Sequence, residues 1–311
     1  MNTTTVPMPP GVTVWERGWL SANNTLLDGA GGATLIDSGY ATHAAQTLAL
    51  VQQTLQDRPL TGLINTHLHS DHCGGNQALQ SHYPGLTTLI PPGQAQAVQE
   101  WNEKSLGYAA TGQTCPRFVF QDRLKPGTTL RLGRQDWDIH AAPGHDPDAV
   151  LLFQPEHGLL VSGDALWENG FGVVFPELDG LSAFDDVAAT LDLIASLRAR
   201  AVIPGHGPVF GGSTALVDQA VDRARSRLNR FVQNPAQHNR YAAKVLLKFK
   251  LQEFQRIETC RFHTWASETP LLIGLYRHAG SDLFATWLET LLQDLHKSGA
   301  LDIQEGWLVD R

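Results

Sequence analysis

The segment Thr66-His67-Leu68-His69-Ser70-Asp71-His72-Cys73-Gly74-Gly75 places three imidazoles and one carboxylate within six residues. It follows directly on an apolar run, Leu60 to Asn65, that reads as a buried strand. His67 and His69 are two apart, so in extended or loop backbone both can point to one side, leaving Asp71 and His72 to turn toward a neighbouring point. Nitrogen and oxygen donors without a thiolate suit zinc, iron or manganese, and they favour a catalytic over a structural metal. A polar loop capping the next helix with Ser70 or Asp71 would use the same residues, but it gives the clustered histidines no reason to be there. Three other apolar runs end alike, in Ala141-Ala142-Pro143-Gly144-His145, Val161-Ser162-Gly163-Asp164 and Val202-Ile203-Pro204-Gly205-His206-Gly207. Each sets one His or Asp beside a glycine, where small residues let the backbone approach a metal closely. A fold for this chain must bring those strand ends together.

The rest of the composition narrows the class. The chain has 311 residues and a formal net charge of −8, which argues against a surface made throughout to hold nucleic acid. Its three cysteines, 73, 115 and 260, show no CxxC spacing, so neither a disulfide framework nor a thiolate zinc site is signalled. The N-terminus MNTTTVPMPPGVTVWERGWL has no basic segment followed by an apolar one, and no run approaches a membrane span, so the expectation is a cytoplasmic protein.

Short β-rich runs alternate with helical periods over the first two hundred residues. Strands are predicted at Val12 to Trp15, Thr25 to Leu27, Ala33 to Ile36, Leu60 to Asn65 and Leu86 to Ile90, and again at 128–132, 137–141, 150–153, 159–162 and 201–203. Helices are predicted at 41–55, 75–81, 94–101, 181–197 and 214–232, the last strongly amphipathic. Consecutive hairpins mixed with helices favour two packed sheets flanked by helices. Segments 102–125 and 167–180 carry no clean period. After Asn234-Pro235 the chain turns mainly helical, at 240–251 and 281–297, and closes on a small hairpin. The expected domains are 1–232 and 233–311.

In order, His67, His69, Asp71, His72, His145, Asp164 and His206 fill the pattern HxHxDH, His, Asp, His, and on these residues the chain resembles the metallo-β-lactamase superfamily over residues 10 to 230. The resemblance implies an α+β fold, a four-layer αββα sandwich with the metal ligands on loops at one edge, followed here by a small, mostly helical, winged-helix-like C-terminal domain. It implies a first metal on His67, His69 and His145, a second on Asp71, His72 and His206, and Asp164 bridging them. Two divalent ions, zinc first with iron or manganese as alternatives, would share a hydroxide that acts as the nucleophile. Asp71 would pass the proton to the leaving group, and Asp164 is the other carboxylate expected in the chemistry. Asp37, in Leu35-Ile36-Asp37-Ser38-Gly39, resembles the family's Asp-Thr/Ser-Gly turn and is expected to support a ligand from behind, although a turn-forming Asp reads the same way. Cys73 matches no ligand position and reads as packing.

The ligand identities exclude some branches. The best-known secreted β-lactamases differ at His72 and Asp164, and flavodiiron-type proteins differ at His69. What remains resembles glyoxalase II and its thioesterase relatives, which implies a dinuclear metal-dependent hydrolase of a thioester or ester. The alternatives are a lactamase-like nuclease or phosphodiesterase acting on RNA, and a mononuclear iron persulfide dioxygenase. Residues 221–261 hold ten Lys or Arg against three acids, with Arg240, Lys244 and Lys248 on one helical face. That face could receive an anionic small molecule bearing an acyl group, or an RNA backbone, or simply be solvated. No membrane partner is expected, and oligomeric state leaves no sequence signal. The two irregular segments are expected to wall an apolar substrate pocket, through Trp101, Tyr108 and Phe118 and through Trp167, Phe171, Val173, Val174 and Phe175, so that shortening 167–180 would weaken substrate binding and spare the metals.

Overall fold

The computed structural model describes residues 6–280 and 283–311. The terminal residues 1–5, part of the stretch read for targeting, and positions 281–282, the start of the helix expected over 281–297, lie outside the described residues. The chain divides into two compact units, one running to Asn102 and resuming over Cys115–Leu228, the other comprising Glu103–Thr114 and Asn229–Arg311. This division differs from the single boundary expected after residue 232 in two places. The division falls inside the helix Thr214–Gln233, and the segment 103–114 clusters with the C-terminal unit, where its short helix Tyr108–Thr111 meets the helix Pro270–Ala279.

Two six-stranded sheets form the first unit. The first contains β1 (Val12–Trp15), β2 (Asn24–Gly29), β3 (Gly32–Ile36), β4 (Leu60–Ile64), β5 (Thr87–Ile90) and β6 (Asp122–Arg123), in that order, antiparallel from β1 to β3 and parallel from β3 to β6. The second contains β7 (Thr129–Leu132), β8 (Gln135–Ala141), β9 (Val150–Gln154), β10 (Leu159–Gly163), β11 (Ala201–Pro204) and β12 (Phe210–Gly211), ordered β12-β11-β10-β9-β8-β7 and antiparallel except between β10 and β11.

The period-two alternation of the strands explains the layering. Leu27, Ile36 and Ile64 of the first sheet and Trp137, Ile139, Leu152, Val161 and Ile203 of the second share one core cluster between the sheets. Leu26, Leu35 and Leu63, their sequence neighbours, face the other way and pack with Val51 and Leu55 of the helix Ala44–Leu55 and Leu79 of the helix Asn76–His82. On the second sheet's side, the helix Phe184–Ser196 buries Val187, Leu191 and Ile194, and its Thr190 hydroxyl donates to the Pro143 carbonyl at 2.8 Å. The layers are therefore α, β, β, α, as the resemblance implied. Since β3 and β4 run parallel, and β8 and β10 both run antiparallel to β9, the C-terminal ends of β3, β4, β8, β10 and β11 come to one edge. There the apolar residues stop and the polar ones begin.

The second unit carries the helices Pro235–Phe254, Thr259–Glu268, Pro270–Ala279 and Phe284–Lys297, with a small antiparallel sheet of β13 (Arg256–Glu258), β14 (Leu301–Gln304) and β15 (Trp307–Asp310) in the order β13-β15-β14. The helices Thr259–Glu268 and Pro270–Ala279 are absent from the sequence reading. Each is only ten residues long, and its apolar spacing is too brief to stand out. The basic face, which could have received an anion or stood in solvent, is paired with acids of its own unit. Arg240 lies 2.6 Å and Lys244 3.9 Å from Asp294, and Lys248 lies 2.6 Å from Asp310 while also donating to the Ala300 carbonyl. No helix among the described residues is long and apolar enough to cross a membrane.

Candidate metal centre

Four strand ends supply the site. β4 runs into Asn65-Thr66-His67-Leu68-His69, and the chain then closes into the single helical turn Ser70–Cys73 that carries Asp71 and His72. The Asn65 amide holds this turn from below by donating to the His72 carbonyl at 3.1 Å. His145 follows β8 after Gly144, Asp164 follows Gly163 at the end of β10, and His206 follows Gly205 beyond β11. Two groups of donors result, His67, His69 and His145 in one and Asp71, His72, Asp164 and His206 in the other, with the offered atoms of each group within 4.8 Å of one another. The seven positions singled out in the sequence fall together at one edge of the sandwich.

The donor atoms are arranged for cations. In the first group His67 Nε2, His69 Nδ1 and His145 Nε2 lie 2.8 to 3.2 Å from one another. His145 Nδ1 donates to the Val173 carbonyl at 2.5 Å, which leaves its Nε2 as a bare lone pair facing two other ring nitrogens. Burial, and then repulsion among the imidazoles, hold His67 well below its ordinary pKa and bring His69 down to about 3, while burial lowers His145. Three neutral rings with converging nitrogens fit a metal of tetrahedral preference, whose ligands sit about 3.3 Å apart.

The second group is charged differently. Burial opposes a proton on His72, but Asp37, Asp164 and Asp71 together outweigh it and raise this imidazole well above its ordinary value. Its Nδ1 donates to Asp37 Oδ2 at 2.8 Å, and its buried Nε2 has no hydrogen-bond partner among the described residues, lying 3.5 Å from Asp164 Oδ1. Burial alone would raise the Asp164 and Asp71 carboxyls. The facing histidines reverse this, His206 and His72 for Asp164 and His72 and His206 for Asp71, so both are held below the usual carboxylate range. His206 Nε2 meets Asp71 Oδ2 at 2.9 Å. Asp164 Oδ2 stands 3.5 Å from His145 Nε2 and 3.8 Å from His206 Nε2, between the two groups.

One expectation follows from this contrast. His72 must shed a proton before Nε2 can donate to a metal, so an ion held by the second group would be lost as the pH falls, whereas one held by the neutral first group would stay to lower pH. Metal analysis after equilibration at a series of pH values from about 8 down to 5 should show one ion leaving before the other. Simultaneous loss of both would sink this reading.

The surroundings differ from expectation in two places, and Asp37 stands behind a donor residue as expected. It is buried at a φ of +58°, and besides His72 it accepts from the Thr66 backbone N–H at 2.9 Å and the Thr66 hydroxyl at 2.8 Å. The segment 167–180 belongs to the metal site rather than to a removable wall. The Val173 carbonyl orients His145, Trp167 Nε1 donates to Asp164 Oδ1 at 3.1 Å, and the Phe175 ring stands 4.7 Å from that of His69. A Cβ on Gly172 would fall 2.3 Å from His145 Nδ1. Phe171, Val173 and Val174 are buried, and so is Phe118, which packs edge-on against Trp101 at 5.5 Å, so these expected pocket residues are core. Tyr108 lies in the other unit.

Sequence reading also passed over Trp19 and Asp146. Trp19 is 51% exposed and stacks on His206 at 5.4 Å with 6° between the planes. Asp146, buried and 3.8 Å from His69 Nε2, has its carboxyl raised by burial to about 6. Neither had a motif to mark it. Cys73 is buried packing, as expected, with its sulfur 3.7 Å from that of Cys115.

Comparison with known proteins agrees with this geometry. A family model described as the metallo-beta-lactamase superfamily matches residues 17–206. A hydroxyacylglutathione hydrolase of Stenotrophomonas maltophilia (strain R551-3) is 26% identical over 264 residues, covering 83% of this chain and 86% of its own. An acyl-coenzyme A thioesterase of Gallus gallus is 24% identical over 224 residues, covering 66% and 80%. Among solved structures, a metallo-beta-lactamase family protein from Thermus thermophilus superposes with a TM-score of 0.56 at 20% identity, covering 98% of this chain and all of that one (100%), a likeness of fold. With the family model spanning most of the chain and the donors converging at the edge of an αββα sandwich, this protein belongs to the metallo-beta-lactamase superfamily.

Proposed function

We propose that the protein is a dinuclear metal-dependent hydrolase of thioesters or related esters, with His67, His69 and His145 holding one ion, Asp71, His72 and His206 the other, and Asp164 shared. The observation that carries this is the pair of adjoining nitrogen and oxygen donor groups with a single carboxylate between them. Relatives named as hydrolases of hydroxyacylglutathione and of acyl-coenzyme A support the thioester class. Two ions held there would acidify a water and polarise the scissile carbonyl. Zinc suits the donor set, and iron or manganese would also be accepted by it.

The chain's own groups do the rest. Asp71 is held ionised by His72 and His206, so it can take the proton of the attacking water and hand it to the departing thiolate or alkoxide as the bond to the acyl carbon breaks. Phe175 on one side of the centre and Trp19 with Trp167 on the other set apolar surfaces for the acyl part.

Elemental analysis of the purified protein, followed by assay on acyl-glutathione, acyl-coenzyme A, simple ester and phosphodiester substrates, tests the proposal. Two ions per chain with thioester turnover is the expected result, and a fully loaded protein inert on thioesters and esters would overturn it. Asp71→Asn should lower kcat by about a hundredfold or more. A variant that keeps both ions and full turnover would remove Asp71 from the proton path.

A further inference from the structure

The two oxygens of Asp164 have different surroundings. Oδ2 faces His145 Nε2 and His206 Nε2, one from each donor group, while Oδ1 accepts the indole N–H of Trp167 at 3.1 Å and lies 3.5 Å from His72 Nε2 of the second group. A carboxylate's last torsion is soft and roughly two-fold, so a donor on Oδ1 fixes how the carboxylate is turned toward His72 and His206, the imidazoles of the donor group to which Asp164 belongs. An indole nitrogen can only donate, and it cannot compete for a cation.

The indole itself is held firmly. The Trp167 backbone N–H donates to the Gly170 carbonyl at 2.7 Å, closing a tight turn in which Gly170 has a φ of +131°. Two arginines one helical turn apart grip that turn: Arg223 Nε donates to the Glu168 carbonyl at 2.9 Å and Arg227 Nη1 to the Asn169 carbonyl at 3.4 Å. A Cβ on Gly170 would fall 2.4 Å from Arg227 Nη1, so the arginine's head reaches close over the turn. The ring's edge contacts complete the arrangement. Trp167 meets Trp19 at 5.2 Å and 77° and His206 at 5.6 Å and 82°, while Trp19 stacks on His206. The loop that presents Trp19 is tied to the same place, with Ala22 N–H donating to the Asp71 carbonyl at 2.9 Å and Asn23 N–H to the Gly205 carbonyl at 2.7 Å.

We propose that Trp167 is a positioning residue that orients Asp164 through its indole N–H and thereby sets the affinity of the second metal position, with Arg223 and Arg227 holding the turn that aims it. The proposal rests on the dinuclear reading above. It also gives two of the basic residues of segment 221–261 a role unrelated to an anionic ligand.

The test uses the full chain, stripped of metal and titrated with Zn²⁺ against a chromophoric chelator. Trp167→Phe keeps a ring and deletes the donor. Incorporating 3-benzothienylalanine at 167 keeps the bicyclic shape and replaces N–H by sulfur, so it reports on the hydrogen bond even where the phenylalanine packs poorly. Both should weaken the second ion by about 10- to 100-fold, weaken the first, which keeps its three imidazoles, by clearly less, and leave the thermal melt of the metal-free protein in place. Unchanged affinity for both ions in the benzothienyl protein would overturn the proposal, and so would equal weakening of both, since that is what a merely structural ring would do. Fewer than two ions on the unaltered protein would instead overturn the dinuclear reading, and this proposal with it.

Discussion

On the proposed dinuclear reading, Gly205→Ala is expected to cost the protein one of its two metal ions, although residue 205 has no side chain to offer a metal. A Cβ built there lies 2.1 Å from Asp164 Oδ1, 2.9 Å from His72 Cε1 and 3.1 Å from the Gly163 carbonyl carbon. None of these can yield cheaply. Asp164 Oδ1 is engaged by Trp167, His72 is pinned through Nδ1 to Asp37, and the Gly205 N–H is itself bonded to the Gly163 carbonyl at 2.7 Å. The methyl group must therefore push the shared carboxylate and one imidazole out of register. Activity should fall by roughly 10²-fold or more, since misplacing catalytic groups by about an ångström costs that much. Gly207→Ala is the control. Its φ of +85° makes alanine strained, yet nothing stands within 4 Å of the new atom, so it should cost about 1 kcal/mol of stability and no metal. Elemental analysis of both variants decides the matter, and two ions on Gly205→Ala would show that the second position is looser than its contacts imply.

Replacement of Asp37 should have the next largest effect, and the choice of replacement separates two consequences. Asp37→Ala strips acceptors from the Thr66 N–H and hydroxyl and from His72 Nδ1, all buried. Leaving such donors unsatisfied costs about 1–3 kcal/mol each, so the melting temperature should drop sharply. Asp37→Asn is gentler on the fold and harsher on the metal. Its amide oxygen can still accept from the Thr66 N–H, while its NH₂, in the place of Oδ2, would donate toward the Thr66 hydroxyl and His72 Nδ1 and turn that nitrogen into an acceptor. The proton then moves to Nε2, the atom that must present a lone pair. The expected outcome is a protein that melts close to the unaltered one and binds the second ion about 10- to 100-fold more weakly. A titration showing both ions at full affinity in Asp37→Asn would mean that the Asp37 bond does not set the His72 tautomer.

Much of this centre is legible in the chain because its ligands are local to strand ends. A strand that is apolar to its last residue and then breaks into His or Asp beside glycine, as at Ile64, Val161 and Ile203, signals both a core and an exit from it. The supporting residues are not legible, because they act across the sequence. Trp167 reads as a wall residue until its N–H is seen on Asp164. Trp19 is an ordinary loop tryptophan until it lies on His206, far along the chain. Gly205 looks like one more turn glycine until the space beside it is found full. In the C-terminal unit the basic stripe Arg240, Lys244, Lys248 is periodic in sequence, but only the folded unit shows Asp294 and Asp310 opposite it.

Order and identity along the chain were enough to determine the family and the sandwich and to single out the seven residues that the fold brings together, because hydrophobic period and ligand chemistry are properties of short segments. Tertiary structure alone decided which carboxylate holds which imidazole, which carbonyl sets a tautomer and which glycine leaves room for a ligand. Those depend on distances between strands that the chain joins through long connections, and no local pattern encodes a distance across a fold.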